Sequence, residues 1–320
     1  MKLIIHLGYP KTASTFLNRN LFSKHSQINL ITKNVEINTY IKSIKYLDDI
    51  DYNKEKLRIK KFFISKISGE KINIFSDEMF LVPLGYRLYD NKKAIKRLYE
   101  IFSNIEKIKD IKFLLMIRNP KDLFSSYYTD EYHRIVSYDK KLDKFDKFLN
   151  EESFQNNFFS KMIIEIFDFK NISLFLNSLN VYKTQKNVSF FLLEELKNDI
   201  ISFSKKLSSF LEINLTETVS LITNKTAINV TSKNKDFYYR KYDWNIFFSK
   251  YNFFYKFLPT KLIRYVKNKD FLNFCWFFKP MIIVQLNDKQ KKIIESIYLK
   301  NLQDIEKDFN LNLKNNNYYN

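Results

Sequence analysis

The stretch KLIIHLGYPKTASTFLNRNLF, residues 2–22, largely decides the fold. Lys2–Leu7 is a short and almost wholly apolar run, which is typical of a buried strand. Gly8 and Pro10 end that strand, and Thr12–Phe22 has the apolar spacing of a helix with one face towards a core. A buried strand that passes through a short loop into a helix indicates an α/β sheet.

Three later runs have the length and composition of buried strands: Ile72–Phe75, Ile111–Ile117 and Val188–Leu193. Helical patterns at 56–67, 92–105, 122–132 and 200–211 alternate with them. This alternation favours a parallel sheet with helices on both faces. We therefore predict an α/β fold, with a P-loop-like parallel sheet flanked by helices.

Polar residues follow three of these strands directly. They are Gly8–Ser14, Asp77-Glu78 and Arg118-Asn119. Because the carboxyl ends of parallel strands meet at one edge of a sheet, where such folds bind their ligands, we expect these residues to form the site.

The first of these loops suits an anion. A helix N-terminus presents unpaired N–H groups and the positive end of the helix dipole, which together bind phosphate or sulfate oxygens. Lys11 adds a charge, and the hydroxyls of Thr12, Ser14 and Thr15 add donors. The alternative is an ordinary helix that is capped by Thr12 or Ser14. That alternative does not explain a lysine in the first turn, where the dipole disfavours a cation.

Two common nucleotide loops do not match this stretch. A Walker A loop requires G-x-x-x-x-G-K-[ST], whereas Ala13 stands five residues after Gly8 and Lys11 precedes the hydroxyls. A dinucleotide fingerprint requires three closely spaced glycines, and Gly8, Gly69 and Gly85 are the only glycines in the chain.

The loop instead resembles the phosphosulfate-binding loop of the sulfotransferases that use 3′-phosphoadenosine 5′-phosphosulfate (PAPS). That family has P-K-[TSA]-[GA]-[ST]-[ST]-[FW]-L, and residues 10–17 read PKTASTFL. Its 3′-phosphate motif is R-[ND]-P-x-[DE] after a strand, with a serine eight residues beyond the arginine. Arg118–Asp122 reads RNPKD, and Ser126 follows at that distance. The order of the two motifs, and the later strand-helix unit at 188–211, also resemble the family.

The resemblance implies a role for each matching residue. Lys11 would contact the bridging oxygen and stabilise the charge that develops on the leaving phosphate. Arg118 and Ser126 would bind the 3′-phosphate, for which an arginine offers an always-charged fork. Phe16 would stack on adenine, with a place in the core as the equal alternative. The 5′-phosphosulfate would be held by Thr12, Ala13, Ser14 and Thr15.

The general base is assigned by position. Relatives place a His or Glu base after the second strand, where this chain has Glu78. A carboxylate there could accept the acceptor's proton as the sulfuryl group is transferred. Asp77 is the close competitor and His133 a remote one, and either Asp77 or Glu78 could instead have a structural role.

The sequence departs from the family late in the chain. Cytosolic relatives contact the 3′-phosphate again through an R-K-G run, which is absent here. Lys225, Asn229 and Lys233 lie in the matching stretch and are the candidates to replace it. The departure favours the carbohydrate-modifying and bacterial branches, and a carbohydrate or lipid-linked sugar as the acceptor.

The C-terminal third changes in composition. Phe237–Trp276 is rich in aromatic and basic residues, and we expect an aromatic helical portion over about 234–280. An acceptor lid or a peripheral membrane-surface patch is the alternative reading. We predict one domain over 1–310, with a capped helix at Asn287–Phe309. A polar tail should follow at 311–320, frayed over Asn315–Asn320.

The composition limits the remaining classes. A hydrophobic content of 45% excludes a disordered chain. The single cysteine, Cys275, allows no intramolecular disulfide and no thiolate metal site, and indicates a reducing, cytoplasmic location. The three histidines form no ligand pair, so we expect no metal. No run reaches the roughly 20 apolar residues of a membrane span.

Two other functions are compatible with some of these features. A magnesium-dependent P-loop small-molecule kinase would use Thr12 and Asp77 as metal ligands. The net charge of +19 would suit a non-catalytic protein that binds nucleic acid or an anionic membrane. The missing second glycine and the Arg118–Ser126 motif argue against the kinase. We expect a nucleotide donor and no nucleic-acid partner. The oligomeric state is not indicated.

Overall fold

The computed structural model describes residues 1–9, 11–32, 34–77, 80–81, 90–138, 145–149, 168–179, 187–223, 233–234, 237–240 and 282–319. The chain divides into two compact units. The first comprises Met1–Pro120, Ile164–Ile228 and Ser296–Asn320, and the second comprises Lys121–Ile163 and Asn229–Glu295.

A five-stranded parallel sheet forms the centre of the first unit, in the spatial order β2-β3-β1-β4-β5. Its strands are β1 Lys2–Gly8, β2 Ile28–Thr32, β3 Ile72–Asp77, β4 Asp110–Ile117 and β5 Val188–Leu192. The central strand β1 pairs with β3, where Leu7 lies opposite Asp77, and with β4, where Gly8 lies opposite Met116. The predicted α/β fold is therefore confirmed, with β2 as an additional edge strand.

Helices connect these strands and continue to the end of the chain. They are α1 Ser14–Leu17, α2 Val35–Tyr46, α3 Asp49–Lys66, α4 Asn91–Ser103, α5 Pro120–Tyr138, α6 Phe145–Phe148, α7 Phe169–Ser178, α8 Leu193–Asn198, α9 Ile200–Leu211, α10 Leu215–Thr223 and α11 Asp288–Phe309. Polar side chains cap several of them: Asn34, Asp48 and Asp90 each accept a hydrogen bond from a first-turn amide.

The helix after β1 is fixed to the sheet by apolar side chains. It begins at Ser14, two residues later than predicted, and continues from α1 into one π-helical turn over Asn18–Phe22. Leu17, Leu21 and Phe22 are buried in one core cluster with Ile4 and Ile74 of the sheet. This packing places the helix N-terminus at the carboxyl end of β1.

The second unit contains a small antiparallel sheet of β6 Lys233–Asn234, β7 Phe237–Arg240 and β8 Ile282–Val284. The prediction that the aromatic portion is helical is therefore wrong at Phe237–Arg240. Aromatic residues favour strands when an adjacent strand is available, and β7 pairs with both of its neighbours. Residues 241–281 lie outside the described residues.

The end of the chain is packed, so the expected fraying over Asn315–Asn320 is wrong for the described residues. Tyr318 is 1% exposed, and Leu313 is fully buried. Glu306 of α11 accepts hydrogen bonds from the backbone amides of Leu313 and Lys314, at 2.6 and 3.0 Å, and from the hydroxyl of Tyr319. Two buried tyrosines therefore outweigh the polar composition of the segment.

Candidate active site

The loop between β1 and α1 has an unusual backbone. Lys11 and Ala13 have φ angles of 65° and 66°, in the left-handed region that non-glycine residues seldom adopt. The hydroxyl of Thr12 donates a 2.7 Å hydrogen bond to the carbonyl of Tyr9 and so bridges the turn. Strain of this kind persists where the surrounding structure fixes the backbone, and it is concentrated at functional sites.

The N-cap residue of the helix that follows this loop provides no side-chain cap. Ala13 is the N-cap residue and makes no side-chain hydrogen bond to the first turn. Ser14 is buried, and its Oγ makes no hydrogen bond in the described part of the chain. The ordinary capped helix that the sequence left open, with Thr12 or Ser14 as the cap, is therefore not what forms. The first-turn amides have no acceptor within the helix, which suits an anion.

Tyr9 attaches the other side of the loop to the first unit. Its ring is fully buried and makes an edge-to-face contact with Phe169, with 5.2 Å between the ring centroids. Burial is the main cause that raises the pKa of Tyr9, and the charge of Asp168 raises it further. Tyr9 is therefore a neutral anchor rather than an ionisable group of the site.

Arg118 reaches this loop from the neighbouring strand. It follows β4, is 6% exposed, and donates a hydrogen bond from Nη1 to the carbonyl oxygen of Lys11 at 3.2 Å. The predicted meeting of the two strand-end motifs is thus present in the structure. A guanidinium next to an uncapped helix N-terminus makes this edge of the sheet attractive to phosphate groups.

A glutamate that follows β5 supports Arg118-Asn119 by a hydrogen bond to the backbone of Asn119. Glu194 accepts a 3.1 Å hydrogen bond from the backbone amide of Asn119 and a 2.6 Å hydrogen bond from the hydroxyl of Tyr318. Burial raises the pKa of the Glu194 carboxyl, whereas Tyr318, Asn119 and the charge of Arg118 act to lower it. Sequence reasoning missed Glu194 and Tyr318. The strand-helix unit at 188–211 resembles the family pattern, but nothing in its sequence indicates which motif the glutamate supports.

For the other predicted site residues, the described structure gives burial and position, which do not by themselves indicate a role. Asp77 is buried at the end of β3, and Glu78 lies outside the described residues. Phe16 is partly buried and packs against the core cluster, which agrees with the core alternative for its ring. Ser126 is buried in α5, within the second unit. Of the three candidates to replace the R-K-G run, Lys225 and Asn229 are not described, and Lys233 is described only as part of β6.

Neither a candidate metal site nor a candidate membrane span occurs among the described residues. No group of three or more His, Cys, Asp or Glu side chains is arranged to hold a metal ion in that part of the chain. Among the described helices, none is long and apolar enough to cross a membrane.

Comparison with known proteins gives a family match over most of the chain. A family model described as a sulfotransferase domain matches residues 2–274. No curated protein matches the sequence significantly.

Several solved structures resemble the chain at low identity. A sulfotransferase from Alicyclobacillus acidocaldarius is 16% identical, with 66% of this chain and 81% of that chain covered and a TM-score of 0.42. A sulfotransferase domain from the curacin biosynthetic pathway is 11% identical, with 72% and 80% covered and a TM-score of 0.41. A mouse sulfotransferase complexed with PAP is 14% identical, with 95% and 84% covered and a TM-score of 0.36.

Proposed function

The chain belongs to the sulfotransferase domain family and is a transferase, and from this premise we propose that its donor is PAPS. The chain would transfer the sulfuryl group to a hydroxyl or amine of an acceptor. The observation that supports this proposal most directly is the 3.2 Å hydrogen bond from Arg118 to the carbonyl of Lys11. It joins the loop to which we assign the 5′-phosphosulfate to the motif to which we assign the 3′-phosphate. PAPS requires both sites, whereas ATP has no 3′-phosphate.

Each part of the donor has a proposed partner. The amides at the start of α1, with the hydroxyls of Ser14 and Thr15, would bind the 5′-phosphosulfate. The hydroxyl of Thr12 already donates to the carbonyl of Tyr9. Thr12 would therefore contribute in part by fixing the shape of the loop. Arg118 would bind the 3′-phosphate through its guanidinium. The half-buried ring of Phe16 would contact the adenine with the part that the core leaves exposed.

The chemistry is a displacement at sulfur. The acceptor oxygen or nitrogen forms a bond to sulfur while the bond from sulfur to the bridging phosphate oxygen breaks. Adenosine 3′,5′-bisphosphate leaves with that electron pair, and Lys11 stabilises the charge that develops on its 5′-phosphate. Holding donor and acceptor in line supplies much of the remaining rate enhancement.

The acceptor's proton requires a base at the same edge of the sheet. We assign this role to Glu78, which follows β3 directly, with Asp77 as the competitor. β3 pairs with β1 on the side opposite to β4. A carboxylate at its end would therefore face the loop from the side opposite to Arg118.

For the acceptor, we propose a hydroxyl of a carbohydrate or a glycolipid. The support is the missing R-K-G run, which separates the chain from the branch that modifies steroids and phenols. The aromatic and basic stretch at Phe237–Trp276 has a composition suited to sugar faces and to the surface of a membrane.

The donor site is tested by calorimetry on the purified chain. Adenosine 3′,5′-bisphosphate, 5′-AMP and ATP are titrated separately in EDTA, into wild type and into Arg118→Ala. We expect the bisphosphate to bind with micromolar affinity, about tenfold or more tighter than 5′-AMP, since a charged phosphate–arginine contact is worth at least that factor. Arg118→Ala should remove the difference between the two nucleotides.

Two outcomes would contradict the proposal. Equal binding of the bisphosphate and 5′-AMP by wild type would mean that no 3′-phosphate site exists. ATP binding that appears only when Mg²⁺ is restored, without bisphosphate binding, would identify a kinase instead.

A further inference from the structure

The end of the chain makes contact with the proposed nucleotide motif. The hydroxyl of Tyr318 donates to Oε2 of Glu194 at 2.6 Å, and Oε1 of the same carboxylate accepts from the backbone amide of Asn119 at 3.1 Å. One carboxylate therefore bonds the C-terminal tail with one oxygen and the Arg118-Asn119 motif with the other.

We infer that Tyr318 is a positioning residue for Arg118, acting through Glu194, so that the C-terminal tail forms part of the 3′-phosphate site. This inference rests on the proposed function. It assigns to residues 311–319, which the sequence describes only as a polar tail, the support of the arginine that would bind the donor.

The electrostatics of the three side chains agree with this role. Burial and the neighbouring Glu194 carboxylate raise the pKa of Tyr318 well above 10.0, so its hydroxyl remains a donor. That hydroxyl and the charge of Arg118 both favour the ionised form of Glu194. Without the Tyr318 donor, the carboxylate loses one of the contacts that offset its burial, and Arg118 and Asn119 lose part of the charge that holds them.

A second contact also links the tail to Asn119. Nδ2 of Asn119 donates to the backbone carbonyl of Asn317 at 2.6 Å, and Asn317 itself has a φ of 60°. The tail thus holds the side chain of Asn119 directly and its backbone amide through Glu194. Arg118 directly precedes Asn119 in the chain, so the tail constrains the backbone from which its guanidinium extends to the Lys11 carbonyl.

The tail also provides a matched control. Tyr319 donates its hydroxyl to Glu306, which is bonded only to other tail residues among the contacts described for it. Tyr318→Phe and Tyr319→Phe therefore each remove one phenol–carboxylate hydrogen bond from the tail. Only Tyr318→Phe removes a bond to the carboxylate that supports Arg118-Asn119.

The experiment measures the ratio of the affinities for adenosine 3′,5′-bisphosphate and 5′-AMP by calorimetry. We expect Tyr318→Phe to lower this ratio by about fivefold to tenfold, less than the loss of a direct hydrogen bond to a charged group because Tyr318 acts through Glu194, while 5′-AMP binding is retained. Tyr319→Phe should leave the ratio within about twofold of wild type, even if both variants unfold at similarly lowered temperatures. A purely structural role of the tail would lower the affinities for both nucleotides together.

The possible outcomes separate this inference from the proposed function. A wild-type ratio near one contradicts the proposed function and the inference together. A high wild-type ratio that survives Tyr318→Phe, or that falls equally in Tyr319→Phe, contradicts the inference alone. If Tyr318→Phe does not fold, Glu194→Gln replaces it, with the same expected fall in the ratio, and an unchanged ratio there overturns the inference.

Discussion

Arg118 and Lys11 are 107 residues apart in sequence, and a hydrogen bond from the Arg118 guanidinium to the Lys11 carbonyl joins them. The bond exists because β1 and β4 are neighbours in register, with Gly8 opposite Met116. Both residues leave the sheet just beyond this pair. Lys11 has its positive φ in this same turn. The backbone therefore sets the direction of the Lys11 carbonyl, whereas the side chain sets the position of the ammonium group.

The first prediction concerns the shape of the cation at position 118. Arg118→Lys keeps the charge but loses the planar fork that can hold a carbonyl and a phosphate together. We expect bisphosphate affinity to fall by about tenfold or more and 5′-AMP affinity to change much less. Calorimetry measures both. Arg58→Lys, the same change in the Arg58–Glu55 pair exposed on α3, is the control and should bind like wild type.

The second prediction separates chemistry from binding at Lys11. Lys11→Met removes the ammonium but leaves a Cβ, so the constraint of the positive φ is unchanged. We expect the rate of bisphosphate release from PAPS, with water as acceptor, to fall by about 10²–10³, because the lost charge acts mainly in the transition state. Bisphosphate affinity should change by less than about tenfold. Affinity and rate falling by the same factor would mean that Lys11 only binds.

The third prediction distinguishes the two carboxylates after β3. With an acceptor alcohol present, Glu78→Gln should lower the transfer rate by about 10²–10⁴, the usual contribution of a general base. Bisphosphate binding should not change. Asp77→Asn should have a smaller effect on the rate. The reverse order of the two effects would assign the base to Asp77.

The sheet and the meeting of Arg118 with the loop after β1 were predictable from the sequence because they depend on local patterns. Apolar runs mark β1, β3, β4 and β5, and parallel pairing then brings the polar residues at their ends to one edge. The edge strand β2 was not identified. Its sequence INLIT alternates weakly and has intermediate burial, so the pattern that marks a central strand is faint there.

The tail was mispredicted for a physical reason. The sequence NNNYYN is polar and lies at a terminus, both of which favour fraying. Hydrogen bonds to Glu194 and Glu306 keep the segment ordered. Glu194 is distant from it in sequence, and Glu306 is one of many polar residues of α11. No periodicity in the segment indicates those partners, so only the tertiary structure reveals them.

The fourth prediction compares two hydroxyls of the loop. Ser14→Ala should leave the free energy of unfolding unchanged or raise it by up to about 1 kcal/mol, because a buried hydroxyl without a described partner is removed. It should weaken bisphosphate and 5′-AMP binding alike, since both contain the 5′-phosphate. Thr12→Val should instead lower the free energy of unfolding by about 1 kcal/mol, because the Tyr9 carbonyl loses its donor. Equal destabilisation by both variants would contradict this assignment.

The fifth prediction concerns His6, which is fully buried in β1 and shares a 2.8 Å hydrogen bond with Ser76 Oγ. Burial lowers the pKa of His6 from 6.5 to about 3. Between these values the unfolded chain binds a proton that the folded chain does not. The free energy of unfolding should therefore fall as the pH falls from 6.5, with a contribution from His6 of up to about 1.4 kcal/mol per pH unit.

Urea unfolding of wild type and His6→Gln between pH 4.5 and 7.5 tests this prediction. Other groups titrate in the same range, so the difference between the two proteins is the quantity that matters. As the pH is lowered, the free energy of unfolding of His6→Gln should fall less than that of wild type, because glutamine does not bind the proton. Ser76→Ala is the control: it removes the hydrogen bond but leaves the imidazole buried, and should therefore keep the wild-type slope. Parallel curves for wild type and His6→Gln would mean that the buried imidazole is protonated in the folded protein after all.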